Sequence, residues 1–186
     1  MLPIDPTPQA LADALDVLVQ VLNEKQTAYA VIGGIAASIR GQIRPTRDID
    51  LLIQVPQLSL PGVLDSLVAR GFILDVAQTI QIWNTEHLVN FSRDSIRIDW
   101  LKPLLPAFER ILDRARWEQI GDRPIRVADA EGLLLLKLIA FRVRDQEDIK
   151  GILAANAGKL DLSIGFARNG SNWSAPPSRR PRNSRR

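Results

Sequence analysis

Apolar positions along this 186-residue chain alternate between helical and extended periods. Leu11, Leu15, Leu18, Val19 and Leu22 recur at intervals of three and four, which predicts an opening helix, with Pro8 after Thr7 suited to its first turn. Residues 28–32 form a short apolar run that reads as a buried strand. A helix is expected over 35–40, just after the pair Gly33-Gly34, and a second strand over 48–55. Leu60, Val63, Leu64, Leu67 and Val68 mark another amphipathic helix stopped by Gly71, and 72–76 reads as a returning strand.

Two antiparallel strands, 88–91 and 95–101, are expected next, joined across Ser92-Arg93-Asp94. Residues 106–115 read as helix. Residues 117–120 and 125–127 flank the turn Gly121-Asp122-Arg123-Pro124 and are placed to pair. Asp129 is suited to cap a leucine-rich helix over 133–141, and a last helix is expected over 145–155. The succession of helix and strand predicts an α/β (α+β) fold, a sheet with helical cover. After residue 162 the Pro-, Ser- and Arg-rich sequence SAPPSRRPRNSRR has no apolar period and predicts disorder. The expected organisation is a core over 1–127, a helical extension over 128–162 and a disordered basic tail over 163–186.

Hydrophobic content of 46% and charged content of 24% are those of an ordinary globule. No apolar run is long enough for a membrane span, and the N-terminal MLPIDPTPQA lacks the basic start and apolar centre of a signal peptide. No membrane partner is expected, and nothing points away from a cytoplasmic address. Without cysteine there is no disulfide, thiol catalysis or thiolate-bound zinc. Six arginines and no acid fall in residues 163–186, which leaves 18 basic against 21 acidic residues, a net of −3, in the rest of the chain. The basic pI thus belongs to the tail and does not by itself make the body a nucleic-acid-binding domain.

The chemistry concentrates in VIGGIAASIRGQIRPTRDIDLLI, residues 31–53. Gly33-Gly34 falls between a strand and a helix, where backbone N–H groups can reach phosphates. Asp48 and Asp50 alternate along the following strand and share one face. Two carboxylates beside a phosphate cradle suit a magnesium-bound nucleotide. Asp99 lies on a later strand, on one face with Arg97 and opposite to Ile96, Ile98 and Trp100. It is either a third acid of the site or a partner for Arg97. Arg44, Thr46 and Arg47 either contact phosphates or the acceptor, or form a solvated loop. The absence of G-x-G-x-x-G and GK[ST] patterns excludes the dinucleotide and P-loop readings. His87 is the only histidine, so no histidine-based metal cluster or hydrolase triad is built. Trp83, Trp100 and Trp117 read as core.

The pattern GG-x-A-(x)4-G-x-x-R-x-T-x-D-I-D, carried by Gly33, Gly34, Ala36, Gly41, Arg44, Thr46, Asp48 and Asp50, resembles the nucleotidyltransferase superfamily with its DNA polymerase β-like fold. Within it, the pattern is similar to the bacterial minimal nucleotidyltransferases and the AbiEii-like toxin branch. The resemblance covers roughly residues 10–155. It implies a mixed sheet flanked by helices, and a triad of Asp48, Asp50 and Asp99 holding Mg²⁺ or Mn²⁺. It further implies an NTP substrate contacted by Gly33, Gly34, Arg47 and Lys137, with Arg44, Thr46, Arg144 and Asp145 as accessory residues.

The second part of that resemblance is K-x-x-A-x-x-x-R-x-x-D-x-x-D, matched by Lys137, Ala140, Arg144, Asp145 and Asp148 with a small shift around Arg142 and Arg144. It implies that Lys137 points to the nucleotide phosphates and that Asp145 is a charge partner or base. From the residues alone, Lys137 either faces a polar cleft or snorkels to the surface, and the charges around it either serve a site or form a structural network.

The chain is shorter than a full AbiEii-type toxin, and the abrupt change near residue 163 fits truncation or a shifted reading frame. Three functions remain open on the sequence. The first is transfer of NMP from an NTP to an RNA (tRNA) or protein hydroxyl, in a toxin–antitoxin or phage-defence setting with a small partner. The second is a degenerate, non-catalytic binding or antitoxin module of the same fold. The third is RNA binding through the arginine tail.

Overall fold

The computed structural model describes residues 7–120 and 123–161. The elements run α1 (Pro8–Glu24), β1 (Ala28–Val31), α2 (Gly33–Ile39), β2 (Asp48–Gln54), α3 (Leu60–Val68), α4 (Val76–Thr85), β3 (Leu88–Arg93), β4 (Ile96–Leu101), α5 (Pro106–Arg114), β5 (Arg116–Ile120), β6 (Arg123–Val127), α6 (Ala130–Ala140) and α7 (Val143–Ala155). The strands form one mixed sheet in the order β3-β4-β2-β1-β6-β5. β2 is parallel to β4 and antiparallel to β1, and β1 is parallel to β6. The α/β (α+β) expectation of a mixed sheet flanked by helices holds. The tail expected over 163–186 lies outside the described residues.

Alternation along β1 and β2 divides the core in two. Tyr29, Val31, Ile49, Leu51 and Ile53 pack with the apolar stripes of α1 and α3. Thr7 caps α1, its hydroxyl accepting from the Ala10 N–H at 3.2 Å. On the opposite face, Ala30, Ile32 and Leu52 pack against Phe108, Ile111 and Leu112 of α5. Asp48 and Asp50 share the face of Leu52, at the end of the strand where α5 no longer covers it and α2 and α6 come close.

Several sequence expectations need correction. Residues 72–76 do not form a strand. Ile73 makes a single bridge to Ser92, and the Asp75 carboxylate then accepts from the Gln78 N–H at 2.7 Å and starts α4. Val76, Ile80 and Trp83 carry the helical period of α4, diluted by polar neighbours. Trp83 is buried edge-to-face on Trp100, with ring centroids 6.3 Å apart. The β3–β4 turn lies at Asp94-Ser95 rather than 92–94, because Asp94 adopts the left-handed conformation (φ 53°) that aspartate tolerates. α2 includes both glycines instead of starting after them. Trp117 is not core: it lies 59% exposed on the outer strand β5, under the Arg126 guanidinium.

Candidate active site

The parallel register of β2 and β4 sets Asp50 opposite Asp99 and Asp48 opposite Arg97. One carboxylate oxygen from each of Asp48, Asp50 and Asp99 lies within 4.8 Å of the others. Three supports hold the acids. The Thr46 hydroxyl donates to Asp48 Oδ1 at 2.8 Å, Arg97 Nε donates to Asp99 Oδ1 at 2.9 Å, and the Gly34 N–H donates to Asp50. Burial pushes the Asp50 carboxyl up to about 6, and the negative charges of Asp48 and Asp99 add to the effect. Arg97 is 61% exposed at its side chain, so it screens the cluster only partly.

This donor set fits a hard divalent cation. All the converging ligands are oxygens, and their mutual repulsion is what such a cation would relieve.

The two glycines are fixed by the aspartates they adjoin. The Ile32 N–H donates to the Asp50 carbonyl at 2.9 Å, which brings the start of α2 against β2. Gly33 has φ 63°, and a Cβ there would collide with the Asp50 carboxylate. A Cβ on Gly34 would collide with the Thr46 hydroxyl that supports Asp48. Ser38 donates to the carbonyls of Gly34 and Arg44 at 3.1 and 3.3 Å, and so closes the loop carrying Arg44.

Behind the acids lies a chain of ion pairs. Lys137 is 4% exposed, which excludes a snorkelling surface lysine. Its ammonium donates to Asp145 Oδ1 at 3.3 Å and to Asp148 Oδ2. Arg44 grips Asp148 with Nε at 2.8 Å and Nη2 at 3.1 Å, and Arg142 Nε donates to Asp145 Oδ2 at 2.8 Å. Burial pushes the carboxyls of Asp145 and Asp148 up, but their hydrogen bonds to these cations outweigh it and hold both below the ordinary range. Lys137 and Arg44 are therefore committed to protein carboxylates.

The exposed Arg142 is the cation that sequence reasoning left out of the site. Its ionised form is favoured by the hydrogen bond to Asp145, with further contributions from Asp145, Asp50 and Asp48. The available signal was the run R-V-R-D, in which Asp145 at the third helical position caps α7 by accepting from the Arg142 N–H at 3.1 Å.

Two cavities share Gly33, Asp50, Arg97, Asp99, Lys137, Arg142 and Asp145. One, of about 300 Å³, is polar and reaches Asp48, Arg44 and Arg144. The other, of about 290 Å³, reaches Leu88, Leu101, Leu136 and Ala140. A further groove of about 500 Å³ is lined by Arg44, Thr46, Arg47 and Arg144.

Residues 11–172 match the family model described as nucleotidyl transferase of unknown function (DUF2204). The chain belongs to this nucleotidyl transferase family. No curated protein matches the sequence. Solved structures share the fold. The lincosamide antibiotic adenylyltransferase LnuA, bound to lincomycin, is 17% identical with a TM-score of 0.57, over 82% of this chain and 99% of that one. The antibiotic-resistance factor ANT(2'')-Ia is 13% identical with a TM-score of 0.56, over 86% and 89%. An antigenic nucleotidyltransferase-like protein from Paracoccidioides brasiliensis is 18% identical with a TM-score of 0.53, over 80% and 77%. At these identities the likeness is one of fold. The candidate site lies where the start of β2 and the Asp99 position of β4 meet the glycines of α2. No helix among the described residues is long and apolar enough to cross a membrane.

Proposed function

We propose that the chain transfers a nucleoside monophosphate from an NTP to an acceptor hydroxyl. The observation that carries this reading is the convergence of Asp48, Asp50 and Asp99 from two parallel strands in a member of a nucleotidyl transferase family. The three aspartates would hold Mg²⁺ or Mn²⁺, which when bound neutralises the phosphate oxygens and the developing charge. Arg142 and Arg144, exposed beside the acids, hold the triphosphate, with Arg47 and the backbone of Gly33 and Gly34 at its border. Lys137 acts through Asp145, which it fixes so that Arg142 stays aimed at the cluster. Arg44 and Thr46 hold Asp148 and Asp48.

In the transfer, the acceptor oxygen forms a bond to the α-phosphorus. The α–β bridging bond breaks, and pyrophosphate leaves with its electron pair. The acceptor proton passes to a carboxylate oxygen of Asp99 and from there to solvent. Positioning and charge supply most of the acceleration. The sequence resemblance favours an RNA (tRNA) or protein hydroxyl as acceptor and a toxin–antitoxin setting with a small partner protein.

The test incubates the wild type and Asp48→Asn/Asp50→Asn with each labelled NTP, Mg²⁺ or Mn²⁺, and a mixture of tRNA and protein acceptors. Label transfer by the wild type alone is expected. Equal NTP binding by both proteins with transfer by neither would overturn the assignment.

A further inference from the structure

The helix α6 is apolar nearly all round, AEGLLLLKLIA, a composition suited to a helix covered on every side. One stripe of it nevertheless lies open among the described residues. Glu131, Leu135, Leu138 and Ile139 follow one another at helical spacing, and Leu138 and Ile139 are 53% and 55% exposed. Leu133, Leu134 and Lys137 occupy the buried side. Two adjoining large apolar side chains left open on such a helix point to a covering element.

The head of this stripe is where the chain returns after α7. The Asp161 N–H donates to Glu131 Oε1 at 2.8 Å, and the neighbouring Leu160 packs against the main core cluster. Next in the sequence come Leu162, Ser163, Ile164, Gly165 and Phe166, whose apolar members continue the alternation begun at Leu160. From Glu131 to Ile139 a helix rises about 12 Å. Five residues of extended chain span about 16 Å, enough to reach the last turn of α6. After Phe166 the sequence turns polar, and Arg168 is the first of the six arginines of the tail. The family match runs to residue 172, so the five residues belong to the length that the family shares.

Tethering decides between occupants. A segment anchored at Asp161 starts beside the stripe and meets it at high effective concentration. A second copy or a separate partner would lose its overall translational and rotational freedom on binding. We propose that residues 162–166 are the covering segment of α6, with Leu162, Ile164 and Phe166 set against Leu135, Leu138 and Ile139. The segment runs toward the end of α6 that carries Lys137 and Ala140, and so braces the helix behind the candidate site. The basic tail then begins after Phe166 rather than at 163.

The chain has no cysteine, so introduced thiols report on one contact alone. In the full chain, Ile139→Cys/Phe166→Cys is expected to close an intramolecular disulfide under mild oxidation, read as a monomer of altered mobility on a non-reducing gel. Leu58→Cys/Phe166→Cys is expected not to, since Leu58 lies 97% exposed beyond the far end of β2. Phe166→Gln and Ile139→Gln are each expected to lower Tm by about 4 °C or more, and together by less than the sum. Equal cross-linking in the two pairs, or none in the first, overturns the inference, as does an unchanged Tm in Phe166→Gln. A disulfide-linked dimer of Ile139→Cys alone would put a second copy on the stripe and overturns it as well.

Discussion

Gly33 and Asp50 occupy space that only a glycine leaves free: the Asp50 carboxylate lies where a Gly33 Cβ would project. The left-handed φ of Gly33 and the Ile32 N–H bond to the Asp50 carbonyl make this close approach possible. Gly33→Ala is expected to cost about 1–2 kcal/mol from backbone strain alone, and more from displacing Asp50. Chemical denaturation measures the first effect. Loss of Mg²⁺-induced thermal stabilisation measures the second, and a variant that binds Mg²⁺ as the wild type does would contradict it.

The raised carboxyl of Asp50 sets a pH dependence. Its folded value of about 6 exceeds the ordinary 3.8, so the folded chain holds the extra proton between those values. Stability of the metal-free protein therefore falls as pH rises through that window, by up to ~3 kcal/mol for this one group. Asp50→Asn is expected to be more stable than the wild type at pH 7 without metal, and less stabilised by Mg²⁺. For the wild type, the rise in Tm on adding Mg²⁺ should grow with pH and level off above about 6. Melting curves from pH 5 to 8, with and without Mg²⁺, check both points.

Asp145 and Asp148 act in the opposite sense. Their carboxyls are held below the ordinary 3.8, so their contribution is complete above that value and is lost as pH falls through the lower folded values. Lys137→Met leaves two buried carboxylates short of a partner and should destabilise by about 3 kcal/mol. Lys137→Met/Asp148→Leu should cost less than the two single substitutions together, because each single one strands a charge. Urea denaturation of the four proteins gives the coupling.

Arg142 is exposed and its loss strands less. Arg142→Gln is expected to weaken NTP binding about tenfold, the worth of one charge-assisted bond of about 1.5 kcal/mol. Arg142→Lys should recover part of it, since the ammonium keeps the charge and loses the fork. Calorimetric titration with each NTP reads the affinities. An unchanged affinity in Arg142→Gln would remove Arg142 from the phosphate site.

The sequence by itself determined the elements whose period is strong and local. α1 was legible because Leu11, Leu15, Leu18 and Leu22 repeat along one stripe, and its cap at Thr7 and Pro8 is a short-range signal. The shared face of Asp48 and Asp50 followed from the two-residue period of any strand. Asp99 on the face of Arg97 followed likewise, but its approach to Asp50 depends on β4 lying parallel beside β2 in one register, which spacing along the chain does not encode. The helix α4 was obscured because a short segment with buried positions only at Thr79 and Trp83 looks like loop or strand until Trp83 meets Trp100. Trp117 illustrates the converse: a large ring goes to the core only if another layer covers its strand, and β5 is the sheet's edge. The tertiary structure also decided the fate of the cations. Lys137 and Arg44 were committed to Asp148, 11 and 104 positions away in the chain, and Arg142 to Asp145, with most of its side chain still exposed beside the acids. Charge pairing acts through space, so the folded packing of α6, α7 and the loop before β2 chose which carboxylate each cation meets.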